Sequence, residues 1–221
     1  MIRLDAVVKE FPGGQTALAG LSLHIPVGQR AVLTGPSGTG KSTALHIMGL
    51  FLRPTRGRVV VGGSDLATID PRGIPAFRQR VAMIFQDQRL LLDRTVEDNV
   101  ALPLIVAGHR RTVWRPAVHS MLEQLGLAEE SQRIVRSLSV GEQQRIGIAR
   151  ALIIRPDVLL ADEPTAHLDP RTAQGVVHLL TSAALDGITV VVASHDAQWS
   201  TLSSVRQIRL ESGRITGDSH A

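Results

Sequence analysis

The chain has no cysteine and no tyrosine, and its 221 residues include only four phenylalanines and two tryptophans. The missing cysteine excludes disulfides and Cys-ligated metal, and it agrees with a reducing compartment. With neither Cys nor Tyr, few groups titrate between neutral pH and the lysines. The isoelectric point of about 10.8 therefore overstates a formal net charge of only +4. That balance is compatible with nucleotides, nucleic acid or an anionic membrane surface, and equally with an ordinary solvated surface. No apolar run approaches the ~18 residues of a membrane span. The opening "MIRLDAVVKE" alternates apolar and polar residues and lacks the apolar core of a signal peptide. A chain of this kind is expected not to cross a bilayer, so a membrane role is expected to run through a partner.

A hydrophobic content of 43% with 20% charged residues predicts a globular protein of one domain, or one domain with a subdomain. Residues 2–8 and 21–25 alternate as half-buried strands, with "PGG" at 12–14 as turn material. "RAVLTG" at 30–35 predicts a buried strand entering a glycine-rich loop, with a helix from Lys41 to Leu50. Further strands are expected at 58–61 and 80–86. From 87 to 153 helical spacing takes over. Pro116 is placed in the first turn of a helix, Val118, Met121, Leu122 and Leu125 form its apolar stripe, and Gly126 ends it. "DVLLAD" at 157–162 and "ITVVVASH" at 188–195 are apolar strands with polar ends. Val176, Val177, Leu179, Leu180 and Ala184 predict a helix packed on the sheet, and 205–215 a closing hairpin. Continuous aliphatic strands alternating with helices imply an α/β fold with a parallel sheet covered on both faces. The helical stretch 87–153 is expected to be a subdomain inserted into it.

"GPSGTGKS", Gly35, Pro36, Ser37, Gly38, Thr39, Gly40, Lys41 and Ser42, matches G-x-x-x-x-G-K-[ST] in full. In such a P-loop, backbone N–H groups surround phosphate oxygens, Lys41 sets a positive charge by the outer phosphates, and the Ser42 hydroxyl ligates Mg²⁺. The bland alternative is a glycine-rich turn with a chance lysine, but the strand before it and the helix after it are what the motif requires. Asp162 ends a buried strand, where it can hold the metal's water shell. Glu163 is placed to polarise an attacking water as general base. The alternative for this pair is solvated strand-end acids. Gln86 closes "AMIFQ" and His195 closes "VVVASH". In a parallel sheet Gly35, Gln86, Asp162 and His195 are expected to share one edge.

"SLSVGEQQR" at 137–145 reads as a helix start, with Ser139 as N-cap and Glu142 as its capping-box partner. Val140 is the odd residue, because glycine suits a backbone N–H that must approach a ligand closely. A valine there predicts a negative φ.

Taken together, these segments resemble the ATP-binding-cassette ATPases over essentially the whole chain. The resemblance implies a P-loop NTPase (RecA-like) core with an N-terminal antiparallel β subdomain and an inserted helical subdomain, in a single nucleotide-binding domain over 1–221. It implies ATP and Mg²⁺ as cofactors, with Ser42, Gln86 and Asp162 at the metal (Asp162 through water) and Glu163, Gln86 and His195 as catalytic residues. Phe11 corresponds to the adenine-stacking aromatic, and Gly35 to Thr43 to the phosphate site; for Phe11 a core role is the alternative. Ser139, Val140, Gly141 and Glu142 correspond to the signature motif, which in this family closes on the γ-phosphate of a second copy in a homodimer. Asp169 corresponds to the D-loop aspartate. Three residues depart from the family pattern: Val140 stands for Gly, His167 for Asn or Gly, and Ser194 for Thr.

"MIFQDQRLLLDRTVEDNVALPLIVAG" and "LLADEPTAHLD" are most similar to the family's cell-division members. That likeness implies a peripheral place on the cytoplasmic face of the cell membrane, an FtsX-like integral membrane partner, cytoplasmic division proteins as further partners, and control of cell-wall hydrolysis. The alternative is the ATPase of a lipoprotein-release or export transporter. Leu90–Leu92 and Leu102–Val106 are expected either to receive a partner's helix or to be subdomain core. Nucleic acid is not expected as a partner, since a solvated helix entry accounts for the arginines of "HRRTVWR".

Overall fold

The computed structural model describes residues 1–183, 187–200, 202 and 204–219. Two sheets enclose one helix. The first is antiparallel, in the order β2–β1–β4–β5, built from β1 (Ile2–Glu10), β2 (Thr16–Ile25), β4 (Arg56–Val61) and β5 (Ser64–Asp65). The second has six strands in the order β10–β9–β3–β8–β7–β6. Here β3 (Arg30–Thr34), β6 (Val81–Ile84), β7 (Val158–Asp162), β8 (Thr189–Ala193) and β9 (Arg206–Glu211) run parallel, and β10 (Arg214–Asp218) closes the edge antiparallel to β9.

Strand periodicity divides the interior. From β7, Leu160 points into a core shared with α1 (Lys41–Met48) and the first sheet, with Ile2, Leu4, Leu45 and Met48. Its neighbours Leu159 and Ala161 point the other way, onto α5 (Val140–Leu152), α6 (Pro170–Ala183) and Trp199 of α7 (Ala197–Ser200). The sheet is therefore buried on both faces, which is why its strands read as unbroken aliphatic runs. Among the described residues no helix is long and apolar enough to cross a membrane.

Residues 87–153 hold α3 (Val96–Val106), α4 (Arg111–Gln124) and α5 around a third core of Val100, Trp114, Val118, Leu122 and Ile146. Helix α5 faces two ways. Ile146 and Ala149 enter this third core, whereas Ile148 and Ala151 pack on the sheet. Leu90 and Leu104 pack against the helical core, while Leu91 and Leu92 remain 45% and 44% exposed.

Several expected boundaries move. β2 starts at Thr16, five residues before the clear alternation. Helix α2 (Ile74–Arg80) is a further element, seven residues long with Phe77 as its one buried residue, so it carries no readable period. Pro116 lies inside α4 rather than in its first turn. The helix opens at Arg111, with the Arg110 carbonyl accepting from the Val113 and Trp114 N–H groups, and Pro116 removes the helical donor to the carbonyl of Thr112, an exposed residue. Gly126, at φ +64°, ends α4 with the Gly126 and Leu127 N–H groups returning to Glu123 and Leu122. Ala184 lies outside the described residues; Val176, Val177 and Leu180 of the same helix are buried in the sheet's outer core.

His167 sits at φ +62°, a left-handed conformation that asparagine adopts more readily than histidine. It is exposed, so His167→Asn is expected to stabilise the fold by about 0.5 kcal/mol. That corresponds to a rise of roughly 1–2 °C in melting temperature, measurable by calorimetry. A lower melting temperature would show that the imidazole makes a stabilising contact.

Candidate active site

The end of β3 leads through Gly35–Gly40 into α1. At Gly35 φ is +135° and a Cβ would lie 2.2 Å from the Leu210 carbonyl oxygen. At Gly40 φ is +100° and a Cβ would lie 2.4 Å from the Ala17 carbonyl oxygen. Only glycine fits either place. The turn so formed carries Lys41 inward, where its Nζ donates to the carbonyls of Gly35 at 2.7 Å and Pro36 at 2.9 Å. Thr39 Oγ1 also donates to the Pro36 carbonyl, at 2.9 Å. A buried ammonium beside the free N–H groups at the start of α1 makes this loop an anion receptor.

Ser42 Oγ donates to Asp162 Oδ1 at 2.8 Å. Asp162 is the last residue of β7 and is buried. Burial raises its carboxyl above the usual range, against the Ser42 hydrogen bond and the attraction of His46. His46 lies on α1 with Nε2 at 3.8 Å from Asp162 Oδ2. Burial holds its imidazole below the ordinary value despite Asp162.

Glu163 follows at φ +45°, held by its N–H donating to the Ala193 carbonyl at 2.8 Å. A carboxylate in this sparsely populated region at a strand end is a strained residue beside a candidate reaction centre. Its Oε1 lies 2.9 Å from His195 Nδ1, and its Oε2 accepts from Ser194 Oγ at 3.4 Å. Ser194 therefore retains the hydroxyl function expected of threonine.

One cavity of about 340 Å³ is lined by Phe11, Ser37, Gly38, Gly40, Lys41, Ser42, Thr43, Gln86, Glu163 and His195, with Gln15 and Ala17 added. Ten of the sequence-predicted residues thus converge on one space. Asp162 lies beneath it, through Ser42. Gly35 and Pro36 line an adjoining cavity behind the loop. Phe11 is half-buried at the mouth, with Lys9 Nζ 5.2 Å from its ring centre.

Ser139, Val140, Gly141, Glu142 and Asp169 do not line this cavity. They form a second locus. Ser139 caps α5, its Oγ accepting from the Glu142 N–H at 3.3 Å, while Glu142 Oε2 accepts from the Ser139 N–H at 2.8 Å and from Ser139 Oγ at 2.6 Å. These bonds hold the Glu142 carboxyl below its ordinary range. Val140 is the first helical residue, is not among the positive-φ residues, and is 55% exposed. Gly141 lies close against Thr172, where a Cβ would come 2.8 Å from Thr172 Cγ2 and the threonine would have to shift. Thr172 in turn donates its N–H to Asp169 Oδ1 at 3.1 Å, so the segment at 139–142 and Asp169 are neighbours within one chain.

Arg150 joins the two loci and was not apparent from the sequence. From α5 its Nη1 donates to the Arg89 carbonyl at 2.9 Å and its Nη2 to the Gln88 carbonyl. The Gln88 side chain bonds Gln144 and packs on Gly147, both also on α5. The segment just after Gln86 is thereby tied to the helix that Ser139 caps.

The ABC transporter family model matches residues 18–166. The cell-division ATP-binding protein FtsE of Escherichia coli K12 is 42% identical over 217 residues, which span 98% of each chain. FtsE of Bacillus subtilis is 38% identical over 218 residues, covering 99% of this chain and 96% of that one. Among solved structures, the ATP-binding cassette MJ0796, dimeric in a post-hydrolysis state with ADP and Pi, superposes with a TM-score of 0.90. It shows 32% identity and covers 99% of this chain and 98% of its own. The chain belongs to the ABC transporter family as an ABC-type ATPase, a P-loop enzyme that binds and hydrolyses ATP.

Proposed function

We propose that this ATPase is the motor subunit of a cell-division complex, held peripherally on the cytoplasmic face of the cell membrane by an integral membrane partner resembling FtsX. The observation that carries this reading is the end-to-end match, at 42% and 38% identity, to division proteins of two distant bacteria. In this reading two copies pair head to tail around ATP, and closure is passed through the membrane partner to the control of cell-wall hydrolysis. Cytoplasmic division proteins are further partners.

Phe11 stacks on the base, and Gly35 to Thr43 hold the phosphates. The oxygen donors Ser42, Gln86 and Asp162 suit Mg²⁺, a hard cation, and the Ser42–Asp162 pair is already preorganised. The metal would offset charge on the phosphate oxygens. Glu163 accepts the proton of the attacking water, while His195 orients the γ-phosphate. The second copy contributes Ser139 and the N–H groups that begin α5, an N-terminus suited to an anion. For this the Ser139 hydroxyl must turn from Glu142 towards the phosphate.

Exposed Leu91 and Leu92, five and six residues beyond Gln86, are the proposed seat for a helix of the membrane partner. Leu91→Asp with Leu92→Asp is expected to keep basal ATPase activity and lose co-purification with the membrane partner. Unfolding of the variant would assign both leucines to the subdomain core. Co-purification at the parent level would place the partner elsewhere. Identification of the captured protein as a lipoprotein-export permease would replace the division reading with transport.

A further inference from the structure

The hairpin between α3 and α4 has a feature that nucleotide chemistry does not use. Gly108, at φ +82°, ends α3, and the Gly108 and His109 N–H groups return to the Ile105 and Leu104 carbonyls at 2.9 and 3.0 Å. Helix α4 begins at once, with the Trp114 N–H bonded to the Arg110 carbonyl at 3.1 Å. Trp114 is buried in the subdomain core. The tip is thus a pinned turn, and its shape is fixed by backbone bonds on both sides.

That fixed turn leaves Ile105, Val106 and Val113 exposed by 46%, 72% and 58%. Beside them stand exposed His109, Arg110 and Arg111. From Asn99 to Leu122 the sequence holds three arginines, two histidines and no acidic residue. Arg115 is balanced by Glu97 at 3.2 Å, and His119 lies 3.4 Å from Glu123. Among the described residues no ion pair engages Arg110 or Arg111. Uncovered aliphatic surface and unbalanced positive charge therefore coincide at the tip. Arg111 also opens a shallow groove of about 530 Å³ along α4, lined by Thr112, Arg115, Pro116 and His119.

We propose that the tip at 105–113 contacts the anionic headgroup layer of a lipid bilayer directly. Ile105 and Val106 at the end of α3 and Val113 at the start of α4 surround the turn beside two arginines held in no ion pair among the described residues, a combination of apolar and cationic side chains that suits an anionic headgroup layer. Ile105, Val106 and Val113 enter the headgroup boundary, while Arg110 and Arg111 bury their stems and pair with lipid phosphates. The contact orients the subdomain against the membrane and is independent of which membrane protein the chain serves.

The test is flotation of the purified full-length chain with vesicles of phosphatidylcholine alone or with phosphatidylglycerol added. The chain is expected to float with the anionic vesicles at low salt and to detach as salt rises. The pair Arg110→Gln and Arg111→Gln should weaken binding roughly tenfold or more, and Val106→Ser should weaken it with the charges intact. Basal ATPase activity should be unchanged in each variant, which controls for folding. Failure of the parent chain to float at low salt, or flotation of the arginine variant at the parent level, would overturn the proposal. So would arginine-dependent recruitment seen only when the membrane partner is present, because the tip would then meet an acidic protein segment instead of lipid.

Discussion

Glu163→Gln is expected to lower ATP turnover by roughly 10²–10⁴-fold, the range removed with a general base, while ATP still binds. The side chain is shaped and seated like the parent. It would keep the φ +45° backbone, the Ala193 carbonyl bond and neighbours Ser194 and His195. The phosphate loop lies elsewhere, on Lys41 and Ser42, so affinity for ATP should be close to the parent's. What is lost is a carboxylate able to accept a proton. The ATP-closed dimer should then accumulate, because the step that opens it has been removed. Phosphate release and an ATP-dependent increase in mass by light scattering measure the two halves. Turnover at the parent rate would remove Glu163 from the base role. Slow turnover without a mass increase would keep that role and remove the head-to-tail clamp.

The parts of this site that the sequence announces are those where chemistry and chain order coincide. Gly35–Ser42 is contiguous, and Asp162 and Glu163 end an aliphatic run, so residue type and strand end together point to one sheet edge. Gln86 and His195 fall two residues beyond the strands they follow, close enough for the same reading. The capping box at Ser139 is likewise local and forms as its spacing predicts. What the sequence hides is set by distance in the chain. Arg150 reads as one more polar residue of a helix, and its role depends on carbonyls about sixty positions earlier. His46 reads as part of the α1 pattern, yet it faces Asp162 and lies edge-on to Phe51. Gly141 and Thr172, thirty-one positions apart, meet only because the start of α5 comes against the start of α6. Helix α2 has too few buried residues to set a period, and β2 pairs through a stretch where Ala17, Ala19 and Gly20 blur the alternation.

Asp162→Asn should separate stability from function, with effects of opposite sign. Asp162 is buried, and burial is the leading cause of its raised carboxyl. The folded chain therefore holds the proton to a higher pH than the unfolded chain, where the group titrates near about 3.9. The associated stability is complete below that unfolded value and is lost as pH rises through the higher folded one. At neutral pH the ionised carboxylate is a cost to the fold. Asparagine carries no charge, and its Oδ1 can still accept from Ser42 Oγ, so the nucleotide-free variant should melt higher at pH 7. Its melting temperature should also fall less than the parent's between about pH 4 and 7. Turnover should move the other way. A neutral amide holds a Mg²⁺ water shell far less well than a carboxylate. Loss of several kcal/mol of charge stabilisation corresponds to a drop of at least about a hundredfold. Parallel pH slopes for parent and variant would show that hydrogen bonding rather than burial governs Asp162. A variant that melts higher and hydrolyses ATP at the parent rate would leave the burial argument standing and take Asp162 out of the metal site. A carboxylate kept where it weakens the fold is the mark of a residue held for its chemistry, and the two measurements together decide whether Asp162 is one.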